Sequence, residues 1–134
     1  AHVRLDGDAL GSELAIYLML KEMGKEAVVY NQDRTPERYQ FLPAARNIVH
    51  HIGNIEQYDT CIVLDCSDLT RVGDEAENIG KIKKLINIDH HFSNNGFCPL
   101  KMLDSKGQAK AGDDATPDAS YAPNGGTPME DVPF

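Results

Sequence analysis

Positive charge is in short supply in this chain. Its 134 residues include 13 Lys and Arg against 21 Asp and Glu, a formal net charge of −8, with a pI near 4.9. That balance argues against a basic nucleic-acid clamp, because phosphate binding by Lys and Arg needs the opposite sign. Nucleic acid stays open as a ligand, since a bound metal can supply the missing positive charge. Long apolar runs are also lacking: the longest hold only a few residues, so no segment reads as a bilayer span. No basic stretch followed by an apolar one marks a secretory signal. Cysteine is scarce. Cys61, Cys66 and Cys98 cannot all pair, and two of them sit in apolar, strand-like sequence. They read as reduced thiols of a cytoplasmic protein with no membrane partner. The first residue is Ala and not Met, which raises the expectation of further sequence upstream.

What remains is ordinary for a globular domain: 41% hydrophobic and 25% charged residues, at a length suited to about one domain. The chain divides unevenly. Residues 105–134 contain four Gly, four Pro and five acidic residues, with Val132 their single β-branched aliphatic and no Ile or Leu. Such a stretch cannot bury enough apolar surface to offset its ordering entropy, and it is expected to be a disordered acidic tail.

Residues 1–104 alternate between helix-like and strand-like sequence. Leu10, Leu14 and Leu18 recur at helical spacing, and Ile16, Met19, Leu20 and Met23 widen the apolar surface, so a well-covered helix is expected over Leu10 to Met23. Gly24 stops it, with Lys21 and Lys25 at the negative end of the dipole. Ala27 to Tyr30 reads as a short buried strand, Pro36 to Phe41 as a loop or short helix, and Ala44 to His51 as a helical turn or two. Thr60 to Leu64 is the strongest strand signal. Asp74 to Lys84 reads as a helix with acids first and lysines last, and Leu85 to Ile88 as another strand. Strands separated by helices predict an α/β fold, a parallel sheet flanked by helices.

In such a sheet, ligands bind beyond the carboxyl ends of the strands. Polar chemistry stands at those ends. Asp65 follows Leu64, and Asp89, His90 and His91 follow Ile88. His2, Asp6 and Asp8 precede the first helix, where a strand from upstream would end. Taken singly, each signal is bland: Asp6-Gly7-Asp8 suits a turn, and an Asp at a strand end suits a helix cap. His50-His51 lie by no strand end and read as exposed loop residues. The joint occurrence of acids and imidazoles at three strand ends is what points to a metal. Mixed carboxylate and imidazole sets suit Mn²⁺, Zn²⁺ or Fe²⁺, and a carboxylate-rich set without thiolate favours Mn²⁺ or Mg²⁺. One carboxylate can bridge two ions about 3.5–4 Å apart, the arrangement used to hydrolyse phosphoryl esters.

Three stretches carry a resemblance. His2-Val3-Arg4-Leu5-Asp6-Gly7-Asp8-Ala9-Leu10-Gly11-Ser12 resembles the first motif of the DHH phosphoesterase superfamily. Val63-Leu64-Asp65-Cys66-Ser67-Asp68 resembles its second, and Asn87-Ile88-Asp89-His90-His91-Phe92-Ser93-Asn94 its third. Within the superfamily the likeness is to the bifunctional oligoribonuclease (nanoRNase) and pAp phosphatase branch, which Pro36-Glu37-Arg38-Tyr39-Gln40-Phe41-Leu42-Pro43 also resembles. Family II manganese pyrophosphatases share the scheme, but their first motif usually reads Asp-Thr-Asp.

The resemblance implies a manganese-dependent phosphoesterase with two ions, Mg²⁺ being an alternative, acting on short oligonucleotides or 3′-phosphoadenosine 5′-phosphate. His2 and Asp6 would ligate one ion, Asp8 and His90 the other, and Asp65 would bridge them. Asp89 would orient a neighbouring ligand, and His91 would contact the scissile phosphate and help protonate the leaving oxygen. Asp68 would either join the site or cap the following helix. The family's fourth motif, its smaller C-terminal substrate domain and a strand before His2 are not found, so residues 1–104 are expected to be part of a DHH-type domain.

The sequence end, Gly125 to Phe134, resembles the acidic tip of bacterial single-stranded DNA-binding proteins. That likeness implies docking on a DNA-repair partner through Asp131, Val132, Pro133 and Phe134. Two further readings follow. One is a catalytically impaired fragment that acts as an interaction protein through this tail. The other is a pyrophosphatase-like hydrolase.

Overall fold

The computed structural model describes residues 1–103; the last residue of the expected 1–104 domain, the expected tail and its docking tip lie outside the described residues. Its first element, helix α1 (Gly7–Glu22), begins three residues earlier than the apolar periodicity indicates. The reason is local. Asp6 is the N-cap, and its carboxylate accepts the backbone N–H groups of Asp8 and Ala9 at 3.1 and 3.0 Å. Those donors would otherwise be unsatisfied at a helix start. The helix ends as expected at Gly24, which takes a left-handed φ of 71° while Lys25 N–H bonds back to Leu20 C=O.

The helix is covered on its first half only. Leu10 and Leu14 are buried, whereas Leu18, Met19 and Met23 are 40, 50 and 61% exposed, so the expectation of a well-covered helix fails for its second half. Ala27 to Tyr30 does not form a strand of its own; it is reduced to an isolated parallel bridge between Tyr30 and Val49. The next two segments each shrink to one short 3-10 turn, Glu37–Tyr39 and Ala45–Asn47.

Strand β1 (Thr60–Leu64) matches its apolar run residue for residue. Helix α2 (Ala76–Ile79) is much shorter than the expected Asp74 to Lys84. Gly80 caps it, and the chain must already be extended at Lys84 to start strand β2 (Lys84–Asp89). Strand β3 (Leu100–Leu103) completes a three-stranded, fully parallel sheet in the order β1-β2-β3. The register sets Leu64 beside Ile88 and Asp89 beside Leu103. The expected parallel α/β architecture is therefore what this chain adopts. Among the described residues no helix is long and apolar enough to cross a membrane.

Two apolar clusters support this frame. One packs Leu5, Leu10, Leu14, Val29, Ala45 and Ile48 around α1. The other packs Val63, Cys66, Val72, Ile79, Leu85 and Cys98 around the sheet. A cavity of about 980 Å³, lined by Ile16, Leu20, Val28, Cys61 and Ile62 among others, lies between α1 and the outer edge of β1. All three cysteines are unpaired.

Two measurements check this packing. Leu10→Ala should cost about 2–5 kcal/mol in urea unfolding, because Leu10 is fully buried, whereas Leu18→Ala on the exposed half should stay within about 0.5 kcal/mol. Burial also pushes the Cys61 thiol up to about 11. Iodoacetamide at pH 8 should therefore leave Cys61 unmodified in the folded chain and alkylate it in urea.

Candidate metal centre

The site gathers at the carboxyl ends of β1 and β2 and at the start of α1. Each segment delivers its side chains for a local reason. His2 lies in a turn that precedes the Asp6 cap. Val3 N–H bonds to Arg71 C=O at 2.7 Å, and Arg4, at φ 61°, donates its N–H to Asp33. Asp65 is the first residue beyond β1. Its N–H still bonds to Ile88 C=O at 2.9 Å, but its backbone turns to φ 52°, the left-handed region that a non-glycine residue adopts at a cost. Asp89 ends β2, and His90 and His91 follow it directly.

The buried Asp65 carboxylate is the centre of the arrangement. Its Oδ2 lies 3.6 Å from His2 Nε2, and its Oδ1 lies 3.1 Å from His90 Nε2 and 3.4 Å from His91 Nδ1. Two groups have ligand atoms within 4.8 Å of one another: His2, Asp6 and Asp65, and Asp65, His90 and His91. Asp65 belongs to both. Asp8 belongs to neither, but its Oδ2 is 3.4 Å from His90 Nε2. Asp6 Oδ2 stands 4.0 Å from His2 Nε2 while Asp6 Oδ1 serves the helix cap. His91, read from the sequence as a phosphate contact, stands with His90 in the second group, their rings meeting edge to face with centroids 4.9 Å apart.

Asp89 is buried and holds His91: its Oδ1 lies 2.6 Å from His91 Nδ1. If that nitrogen carries the proton, as the carboxylate partner favours, Nε2 has the lone pair. Burial raises the Asp89 carboxyl, but hydrogen bonds from Asn94 and His91 outweigh it and keep the group below its ordinary range. Asp6 is likewise held low, chiefly by the Ala9 backbone N–H. The site thus presents ionised carboxylates at close quarters.

The donor set fits a divalent pair. Asp65 Oδ1 is fully buried and accepts no hydrogen bond, an orphaned acceptor of the kind a cation satisfies. Aspartates and imidazoles without a thiolate suit a borderline-to-hard ion. Two of the three thiols are engaged elsewhere: Cys66 Sγ donates to Asp68 C=O and Cys98 Sγ to Leu85 C=O.

The remaining candidates resolve simply. Asp68 caps the following turn, its Oδ1 accepting both the N–H and the hydroxyl of Thr70. His50 bonds to Asn31 C=O and His51 pairs with Glu75, both away from the metal groups. Asn87 is a residue to which sequence reasoning gave no role. It is 1% exposed in the middle of β2 and bonds to the turn that carries Asp65. A lone amide inside the apolar run Leu85 to Ile88 was the available signal, because a buried polar group needs partners.

Comparison with known proteins places this geometry in context. Residues 1–112 match the model of the DHH family, N-terminal domain. The bifunctional oligoribonuclease and PAP phosphatase NrnA from Thermus thermophilus is 36% identical over 111 residues, covering 82% of this chain and 32% of that protein. The crystal structure of an exopolyphosphatase-related protein from Bacteroides fragilis superimposes with a TM-score of 0.68 at 25% identity, over 78% of this chain and 33% of that one. The chain thus spans about a third of the length of each. A match across the whole of the described structure, with two of the motifs that resemble this family's at the ends of β1 and β2 and the third at the start of α1, leads to one assignment: this chain belongs to the DHH family.

Proposed function

We propose that this chain carries the metal-binding part of a manganese-dependent phosphoesterase that hydrolyses short oligonucleotides, 3′-phosphoadenosine 5′-phosphate, or both. The observation that carries the reading is Asp65, whose two oxygens face two separate groups of donors and whose Oδ1 has no hydrogen bond. The 36% identity to a bifunctional oligoribonuclease and PAP phosphatase supports the substrate class. The exopolyphosphatase-related neighbour favours a second reading, a hydrolase of inorganic phosphate anhydrides, of which pyrophosphate is the smallest.

In this reading His2 and Asp6 hold one ion, His90 and Asp8 the other, and Asp65 both. When bound, the pair supplies an acidified water and neutralises charge on the phosphoryl oxygens. The chain's own residues do the rest. Asp6 Oδ1 is tied to the α1 cap, which fixes the carboxylate and leaves Oδ2 for a cation. Asp89 orients His91 through Nδ1, so that Nε2 is the atom able to take or give a proton at a leaving oxygen. The His91 atom near Asp65 is this same Nδ1, at 3.4 Å from Oδ1, so with Nδ1 held by Asp89 it is Nε2 that remains for an ion or for phosphate.

The test measures Mn²⁺-dependent release of phosphate from 3′-phosphoadenosine 5′-phosphate, of mononucleotide from a short RNA, and of orthophosphate from pyrophosphate. Release from either nucleotide substrate supports the first reading. Release from pyrophosphate alone replaces it with the second, and metal-independent release would sink both. In calorimetric titration, Asp65→Ala should weaken Mn²⁺ binding at both sites by tenfold or more, and unchanged stoichiometry and affinity would remove the bridging role. His91→Ala should lower turnover by about 10²–10⁴-fold, whereas His90→Ala should lose Mn²⁺ affinity as well. Equal losses of affinity in both variants would make His91 a ligand.

A further inference from the structure

Asn87 lies between Ile86 and Ile88 on β2, where a side-chain amide is costly unless every hydrogen-bonding group is used. Its groups are used. Nδ2 donates to Val63 C=O at 3.2 Å and to Cys66 C=O at 3.1 Å, the two carbonyls that bracket Leu64 and Asp65. Its Oδ1 accepts from Asn94 Nδ2 at 2.7 Å. The same Asn94 nitrogen reaches Asp89 Oδ2 at 2.6 Å, and Asp89 Oδ1 in turn holds His91. Asn94 is itself fixed: its N–H bonds to His91 C=O, and its Oδ1 accepts Gly96 N–H at 2.8 Å.

The backbone at Asp65 needs such a clamp. A strand continued past Leu64 would carry Asp65 away in an extended conformation. Instead the chain turns left-handed there, a state that persists only where its surroundings impose it. The buried Asn87 amide draws Val63 C=O and Cys66 C=O toward a single point, and a longer bond of 3.4 Å from Asn94 Nδ2 to the same Cys66 C=O adds to the hold on that turn.

We propose that Asn87 is the positioning residue of the whole centre. Its amide holds the left-handed turn that aims Asp65 between the two donor groups, and through Asn94 it also orients Asp89 and His91. The two arms of the site are thereby tied to one side chain that touches neither metal nor substrate. The functional part of this inference rests on the phosphoesterase reading; the conformational part does not.

The experiment compares the intact chain with Asn87→Ala, Asn87→Ser and Asn94→Ala, each checked for folding by circular dichroism. Backbone φ at Asp65 is read without metal from NMR couplings and chemical shifts, and Mn²⁺ affinity from calorimetry. In Asn87→Ala, Asp65 should shift toward negative φ, and Mn²⁺ affinity should fall 10–100-fold. Asn87→Ser keeps one donor and should lie between; it also decides the question if the alanine variant fails to fold. Asn94→Ala removes only the longer bond to Cys66 C=O and keeps both Asn87 bonds, so it should shift the Asp65 turn and Mn²⁺ affinity less than Asn87→Ala does, while turnover falls tenfold or more. A folded Asn87 variant with unchanged φ at Asp65 and unchanged Mn²⁺ affinity overturns the proposal. If the intact chain binds no Mn²⁺, the phosphoesterase reading fails, and the φ comparison alone still decides the role of Asn87.

Discussion

The parallel pairing of β1 with β2 is the constraint on which the rest of this molecule depends. With Leu64 beside Ile88, the residues that follow the two strands emerge side by side. Asp65 therefore meets His90 and His91 without any long-range loop having to find its partner. A register shift of one residue would send every side chain of β1 to the other face of the sheet, and the apolar pattern of Val63 and Leu85 against the inner cluster forbids it. The core thus sets the site geometry as a by-product of burying itself.

Charge supplies the opposing force. Asp6, Asp8, Asp65 and Asp89 converge on a space that three imidazoles share, and like charges at such distances repel unless something positive intervenes. The structure meets part of that cost with hydrogen bonds: the α1 start on Asp6, and Asn94 with His91 on Asp89. Asp65 Oδ1 receives no such help. The unevenness is informative, because carboxylates that serve the scaffold are satisfied by the chain, while the carboxylate between the two groups is left for another partner.

Much of this was legible in the sequence, and the limits follow from local physics. Thr60 to Leu64 and Leu85 to Ile88 are apolar runs ended by Asp, and both became strands because a strand of a parallel sheet needs little beyond such a run. The strand-end placement of Asp65, Asp89, His90 and His91 followed. Helix lengths were less legible. α1 gained a turn from a side-chain cap that hydrophobic periodicity does not register, and α2 lost most of its length to Gly80 and the demands of the next strand. Ala27 to Tyr30 has strand composition but only Val49 as a bridge partner, since pairing is decided by distant residues. The role of Asn87 was hidden because it acts on β1 and its turn across the fold, that of Asn94 because its bonds to Asn87 and Asp89 depend on how the loop between them folds, and the left-handed turn at Asp65 leaves no compositional mark when no glycine is there.

The presence of two apolar clusters in place of one has a mechanical consequence. His2, Asp6 and Asp8 ride with the α1 cluster, whereas Asp65, His90 and His91 ride with the sheet, and a cavity lies between α1 and the edge of β1. The donor groups therefore straddle a seam. A small rotation about that seam would leave the packing of each cluster intact and still change every distance between Asp65 and His2 or between Asp8 and His90. Ions held across it would work as rivets, so the stiffness of the joint and the occupancy of the centre become one property of the molecule.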